Sequence, residues 1–356
     1  MGMRVLIENY RNLTAGHCGS GAMRNLLFHY TGLDLEEGVI FGLGSGLDTV
    51  YFDFAAAEPP FMFFGRGSSF EADIGKHLGV DYRETVQPDD DIAWQDVRKE
   101  VIAGRPTMLS GDIFYLDYPK FIVHFPAPRF VMLGFDDERE EVYVADRTDE
   151  ETQTCSMQAI RQSRNPPVGI STYNLWGKFH AKHIHHSLPE ACGLALGATV
   201  RRMLNFDSSQ YDLMQAMQGG AEGELTVGLQ GLKAMTERLP RWRELDDPSA
   251  HLQYLDNAII KFGTGGGFFR DHFAAFMRWA AVQRPDLVGA TTVTLAEDAA
   301  RKWNALSPLI QTMLTSAQTG AIDARQWAQA EDHLLDIYEC EYSLFGHLGD
   351  TVLRAT

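Results

Sequence analysis

Cysteine is scarce in this chain. There are four among 356 residues, at Cys18, Cys155, Cys192 and Cys340. No two stand in a CxxC pair, which excludes a zinc ribbon, and their wide scatter argues against a disulfide framework. Reduced thiols in a cytoplasmic setting fit best. Positive charge is also short: 31 Lys and Arg face 48 Asp and Glu, for a formal charge of −17. That balance excludes nucleic-acid binding through phosphate neutralisation as the expected role. Small or cationic molecules are the better partners, or proteins met through local basic patches such as Arg238, Arg241 and Arg243. No run of about 18 apolar residues occurs, so no membrane span is expected. Met1 to Tyr10 holds no basic segment followed by an apolar stretch, so no signal peptide is expected either. Internal repeats and low-complexity tracts are missing.

What is there suits a folded protein. Hydrophobic residues make up 45% and charged residues 22%, with 33 glycines. That supplies a sizeable core for one large domain or two ordinary ones. The first half alternates helix-like and strand-like segments. Residues 22–31 and 92–103 read as helices, the second ended by Gly104 and Pro106. Residues 107–110 read as a strand. Residues 129–135 and 141–146 read as two strands of a hairpin around Asp136-Asp137-Glu138-Arg139-Glu140. The second half is helical in pattern: 249–262, 268–283, a long helix opened by a capping box at Thr294-Leu295-Ala296-Glu297, and another through Trp327, Ala330, Leu334 and Ile337. The expectation is an α+β domain over 1–165, a Pro- and His-rich connector over 166–190, and an all-helical domain over 191–356.

Cys18 is the most informative residue. It sits in Ala15-Gly16-His17-Cys18-Gly19-Ser20-Gly21-Ala22, where small residues lead into the first helix. A helix N-terminus favours a thiolate, so this placement suits a nucleophile. A small buried thiol packing on the helix is the alternative at this point. A thiol nucleophile needs a base, a group that orients the base, and donors for an oxyanion. Asp146 ends the second hairpin strand, where an orienting acid would stand. Asn12, six residues before Cys18, carries an amide suited to an oxyanion.

Other motifs read more plainly. Phe41-Gly42-Leu43-Gly44-Ser45-Gly46-Leu47 misses the GxGxxG spacing, so a glycine-rich backbone turn is preferred to a nucleotide loop. Gly263-Thr264-Gly265-Gly266-Gly267 precedes a helix and would suit a phosphate, but a tight interhelical turn with Arg270 in an ion pair is preferred. His180, His183, His185 and His186 read as a polar connector rather than a metal site. Asp89-Asp90-Asp91 reads as a helix start.

Taken in order, these segments resemble a family. His17-Cys18 with its Leu-rich helix, Phe41 to Leu47, Phe64-Gly65-Arg66, His124-Phe125-Pro126, Leu133-Gly134-Phe135-Asp136-Asp137 and Val142 to Arg147 resemble the N-terminal domain of butirosin biosynthesis protein H. Gly263 to Arg270, then Phe273 and Phe276, resemble the helical domain of unknown function DUF4872 that usually follows it. The resemblance implies a papain-like fold close to the C39 bacteriocin-processing peptidases. It implies a cysteine-dependent acyltransferase of antibiotic biosynthesis. The acyl or aminoacyl group would pass from a carrier-protein phosphopantetheine thioester to a small amine, with no cofactor of the enzyme's own. By the same resemblance Cys18 would carry the acyl group and Asp146 would orient the base. His17, Gly44, Gly46, Arg66 and Arg129 would contact substrate, and a homodimer would be compatible. One position departs from the pattern: Pro128 stands where relatives carry a histidine. His124, four residues upstream and about 13 Å away along an extended strand, is the replacement candidate. Arg129 would stabilise a thiolate as a fixed cation. The alternatives are an amide hydrolase or cyclase on the same scaffold, and a catalytically silent binding protein.

Overall fold

A computed structural model describes residues 2–54, 60–118, 121–122, 124–168, 171–204 and 223–355. Its elements run β1 (Arg4–Leu6), α1 (Cys18–Thr31), α2 (Glu37–Leu43), β2 (Leu47–Phe54), β3 (Phe61–Arg66), α3 (Phe70–Leu78), β4 (Tyr82–Thr85), α4 (Asp90–Ile102) and β5 (Thr107–Asp112). The long hairpin β6 (Pro126–Asp136) and β7 (Glu141–Ala145) follows, then β8 (Gln153–Ser156), α5 (Met157–Arg164), β9 (Trp176–Phe179), α6 (Leu188–Met203) and β10 (Gly223–Thr226). Helices Gly228–Trp242, Pro248–Ile260, Arg270–Gln283, Ala290–Thr319 and Ala324–Ala355 complete the described chain. The protein is therefore mixed α and β, with a helical C-terminal region.

The chain forms two compact units, and neither is a contiguous half. One contains residues 1–40 and 78–185; the other contains 41–77 and 186–356. The sequence reading divided the chain at 165 and 191; instead, 41–77 packs with the C-terminal residues because β2 pairs with β10.

In the first unit an antiparallel sheet runs β4-β9-β5-β6-β7-β8, with β1 added along the far part of β6. Strand alternation sorts its side chains onto two faces. Leu109, Phe130, Met132, Val142, Val144 and Trp176 share one core with Trp94, Val97 and Val101 of α4 and Ala159 and Ile160 of α5. The other face receives α1. There the Tyr30 ring lies 5.9 Å from the Phe179 ring, and Tyr30 Oη donates to Pro106 O. Met23, Leu26 and Leu27, at helical spacing, are fully buried, which is worth about 1.5–3 kcal/mol for each large apolar side chain. The α1 helix starts where His17 caps it and stops at Gly32, whose left-handed φ of 76° suits a residue without Cβ. Asp89 caps α4 by accepting from the N–H groups of Asp91 and Ile92, which accounts for the acidic run there.

The stretch read as a connector contributes a strand. Trp176–Phe179 pairs with both β4 and β5, and Arg164 accompanies it, buried with Nη2 donating to Asn174 O. His180 to His186 are not helical, so His180 and His183 share no helical face.

In the second unit helices surround a three-stranded sheet, β10-β2-β3, so this region is not all-helical. Phe61 stacks on Trp242 at 4.1 Å within a core of Leu232, Leu252, Trp303 and Ile310. Arg270 and Glu341 form a fully buried ion pair, joined by Trp303 Nε1 and Thr49 Oγ1. The long helix begins at Ala290 after Gly289, four residues before the capping box at Thr294. Residues 205–222, within the region expected to be helical, lie outside the described residues.

Candidate active site

Cys18 is the first residue of α1, half-buried, with a free thiol. The helix begins here because the segment before it is tied down group by group. His17 Nδ1 accepts from Ser20 N at 3.1 Å and closes the cap. Glu37 accepts from Gly16 N at 3.0 Å, His17 N at 2.8 Å and Ser20 Oγ at 2.8 Å. Arg24 Nη2 donates to the carbonyls of Leu13 and Thr14. These bonds satisfy loop groups that would otherwise be orphaned. His17, expected to contact substrate, serves as a cap; its Nδ1 is an acceptor for a backbone N–H and so holds no proton. The Glu37 carboxylate sits at the positive end of α1 and offsets part of the helix dipole. Sequence reasoning missed Glu37, whose only local role is as the first-turn acid of α2.

Asn12 does not face an oxyanion. Its Nδ2 donates to Asp146 O at 2.8 Å and Asp149 O at 2.6 Å, and its Oδ1 accepts from Asn25. Both amide protons are therefore spent on backbone. Asp146 does not orient a histidine. Its Oδ2 accepts from Tyr118 Oη at 2.8 Å and its Oδ1 from Arg147 N at 2.6 Å. Tyr118 packs against the α4–α5 core, so the Asp146 carboxylate turns to the face opposite α1.

The histidine–carboxylate pair lies elsewhere. His124 Nδ1 is 2.8 Å from Asp112 Oδ2. Asp112 is buried at the end of β5, and its Oδ1 accepts from the N–H groups of Phe114 and Phe125. A carboxylate held by three donors fixes the ring: Nδ1 carries the proton and Nε2 is left as the basic nitrogen. Phe114 stacks on the imidazole, ring centres 4.0 Å apart, while the His124 side chain remains 46% exposed against 1% for Asp112. Strand parity places this pair on the α1 side. A Cβ on Gly111 would strike Ser163 of α5, so Asp112, the next residue, turns the other way. Ser110 and Arg129 are paired in register on that same side, Arg129 Nη1 donating to Ser110 Oγ at 2.6 Å. The structure thus brings His124, Asp112, Ser110 and Arg129 to the sheet face that α1 covers. The register shift here falls on β6, where Pro126 and Arg129 are three residues apart while their partners Asp112 and Ser110 are two apart.

Gly44, Gly46 and Arg66 belong to the second unit and have work there. A Cβ on Gly44 would meet the Phe70 ring at 2.5 Å, and one on Gly46 the Phe41 ring at 2.6 Å. Arg66 pairs with buried Glu71. The 263–267 glycines are a turn: Gly263, Gly265, Gly266 and Gly267 all have positive φ, and Asn304 Oδ1 accepts from Gly267 N. The Asp271 carboxylate lies against Gly266, which disfavours a phosphate. Arg270 forms its expected ion pair, with Glu341.

The family model described as butirosin biosynthesis protein H, N-terminal, matches residues 17–147, and the one described as domain of unknown function DUF4872 matches residues 155–348. The chain belongs to the butirosin biosynthesis protein H family. No curated protein matches it. The butirosin biosynthesis protein H match opens at His17, beside the thiol, and closes at Arg147, whose backbone holds the loop before it. It takes in Cys18, Asp112, His124 and Asp146, so the acid that holds the histidine and the acid expected to do so both fall inside the matched span. The sequence pointed to Asp146 because it ends a strand. Asp112 also ends a strand, and Gly111-Asp112 before an aromatic turn is the signal that would have found it.

Among the described residues no group of three or more His, Cys, Asp or Glu is placed to hold a metal, and no helix is long and apolar enough to cross a membrane.

Proposed function

We propose that this protein is a cysteine-dependent acyltransferase on a papain-like scaffold, with Cys18 as nucleophile and His124, held by Asp112, as base. What carries the reading is the His124–Asp112 hydrogen bond, with Asp112 on the side of β5 that strand alternation turns away from α5 and toward α1. Cys18 attacks a thioester carbonyl, the donor thiol leaves, and an amine then attacks the acyl-enzyme. Thioester exchange onto a thiolate needs little proton transfer, but amine attack releases a proton, and His124 Nε2 accepts it. Of the first-turn N–H groups of α1, that of Ser20 is taken by the His17 cap; those of Cys18 and Gly19 serve the developing oxyanion, and Arg129 supplies fixed positive charge on the same side of the sheet. Membership of the butirosin biosynthesis protein H family supports an acyl-carrier or pantetheine thioester as donor and a small amine as acceptor, in a reduced cytoplasmic setting and with no cofactor of the enzyme's own.

The test is product analysis with an acyl-pantetheine thioester, with and without a primary amine. Amide formation by the wild type, lost in Cys18→Ala, is the expected result. Free acid formed at the same rate with or without amine would make the protein a hydrolase. No turnover of any thioester, together with Cys18 alkylation no faster than that of a simple thiol, would make it a silent binding protein.

A further inference from the structure

Asp146 stands where a family resemblance puts an orienting acid, yet its carboxylate is committed to Tyr118 and to the Arg147 N–H. Burial, reinforced by the Asp146 charge, pushes the Tyr118 phenol well above its ordinary range, so it remains a donor. The consequence runs through backbone. The 146–149 turn offers three carbonyls to the segment before Cys18. Asn12 Nδ2 takes those of Asp146 and Asp149, and Ala15 N takes that of Arg147 at 2.9 Å. Arg147 Nη1 reaches back to the carbonyls of Ala15 and Gly16. Gly21, one turn beyond the thiol, lets the 12–16 segment approach closely: a Cβ there would lie 2.5 Å from Ala15 Cβ.

We propose that Tyr118 and Asp146 are a positioning pair, which sets the place of Cys18 through the 146–149 turn and the 12–16 segment and relays no proton. This rests on Cys18 being the nucleophile. A displacement of about 1 Å at a reacting atom costs roughly 100-fold in rate, so a bolt on the segment that carries the thiol has a readable effect.

The experiment uses the full chain as wild type, Tyr118→Phe, Asp146→Asn, the double variant and Asp112→Asn. Transfer from an acyl-pantetheine thioester to a primary amine is followed across pH, and Cys18 alkylation by iodoacetamide is followed by peptide mass. Tyr118→Phe and Asp146→Asn are each expected to lower kcat about 10- to 100-fold with KM nearly constant. The double variant falls no further than the worse single one, because both act through one bolt. The pH midpoint of kcat stays put in these variants and moves in Asp112→Asn. Wild-type kcat in Tyr118→Phe, with Asp146→Asn alone inactive and its pH profile altered, would overturn the proposal and make Asp146 the acid that serves the base. If Asp146→Asn fails to fold, Tyr118→Phe carries the test. Should the wild type transfer no acyl group, the function proposed above fails while the alkylation rate still reads placement. A change of threefold or more in both variants then upholds the pair, and an unchanged rate overturns it.

Discussion

The two faces of the larger sheet differ in kind. The face covered by α4 and α5 is a continuous apolar core of Trp94, Leu109, Phe130, Met132, Val142, Val144 and Ile160. The face covered by α1 has apolar packing under the helix and, toward its N-terminus, buried polar groups: Ser110, Asp112 and Arg129, with His124 at the edge. Burying Asp112 and Arg129 costs free energy unless each is hydrogen-bonded, and each is. Apolar neighbours would stabilise the same sheet without that cost. The difference teaches that one face is built by apolar packing alone, while the other combines apolar packing with buried polar groups beneath the helix that Cys18 opens. Asp146 sits between these roles, with its carboxylate on the first face and its backbone serving the second.

Substitutions on each face should therefore fail differently. His124→Ala is expected to have the largest effect, lowering amide formation about 10²–10⁴-fold. Its thermal midpoint should fall only modestly, because the ring is half exposed and buried Asp112, though it loses one donor, keeps the Phe114 and Phe125 N–H groups. A kcat within threefold of the wild type would remove His124 from the mechanism. Phe130→Ala, on the apolar face, should cost about 3–5 kcal/mol in denaturant titration. The activity per folded molecule should change little, and a specific kinetic defect without lost stability would blur the distinction between the faces. Asn12→Ala should cost about 1–3 kcal/mol, since it strips the carbonyls of Asp146 and Asp149 of their donor. It should also lower kcat without shifting the pH profile; an oxyanion donor would leave the profile unshifted too, so the accompanying loss of stability is what marks a bolt. That result would be sharpened by equal losses with thioester and amide substrates.

Alkaline stability gives a smaller effect with a definite sign. Burial raises the Tyr10 and Tyr118 phenols in the folded protein. Below pH 10 both states hold these protons. Above it the unfolded chain loses protons that the folded one keeps, so stability falls as pH rises. Tyr118→Phe should flatten the fall between pH 9 and 11 in urea titrations, and an equally steep fall would deny Tyr118 its buried, proton-holding environment. The surface pair Arg11–Asp34 marks the bottom of the scale. Although bidentate, it is solvent-accessible, and a double-mutant cycle of Arg11→Ala with Asp34→Ala should show the weakest coupling of the set.

Much of the architecture was legible in the sequence because it rests on periodicity. The α1 and α4 helices and the β6–β7 hairpin lie close to where apolar spacing and turn residues put them. The short strands β9 and β10, four residues each, carried no such signal, and one lay inside a Pro- and His-rich stretch. Cys18 at a helix start was legible as a candidate; its surroundings were not. The reason is parity. Register shifts in β6, between Pro126 and Arg129 and between Met132 and Gly134, change which face a residue meets without changing its residue type. Glycine-rich segments misled in the other direction. Gly44 and Gly46 admit the rings of Phe70 and Phe41, and their small size reports packing.

The account turns on whether Cys18 carries an acyl group. Intact-protein mass after mixing with a pantetheine thioester in the absence of amine measures this directly. The wild type should gain the mass of one acyl group, mapped to the peptide containing Cys18 and discharged by added amine, and Cys18→Ala should gain none. An acyl group on another residue, or equal loading of Cys18→Ala, would contradict the account.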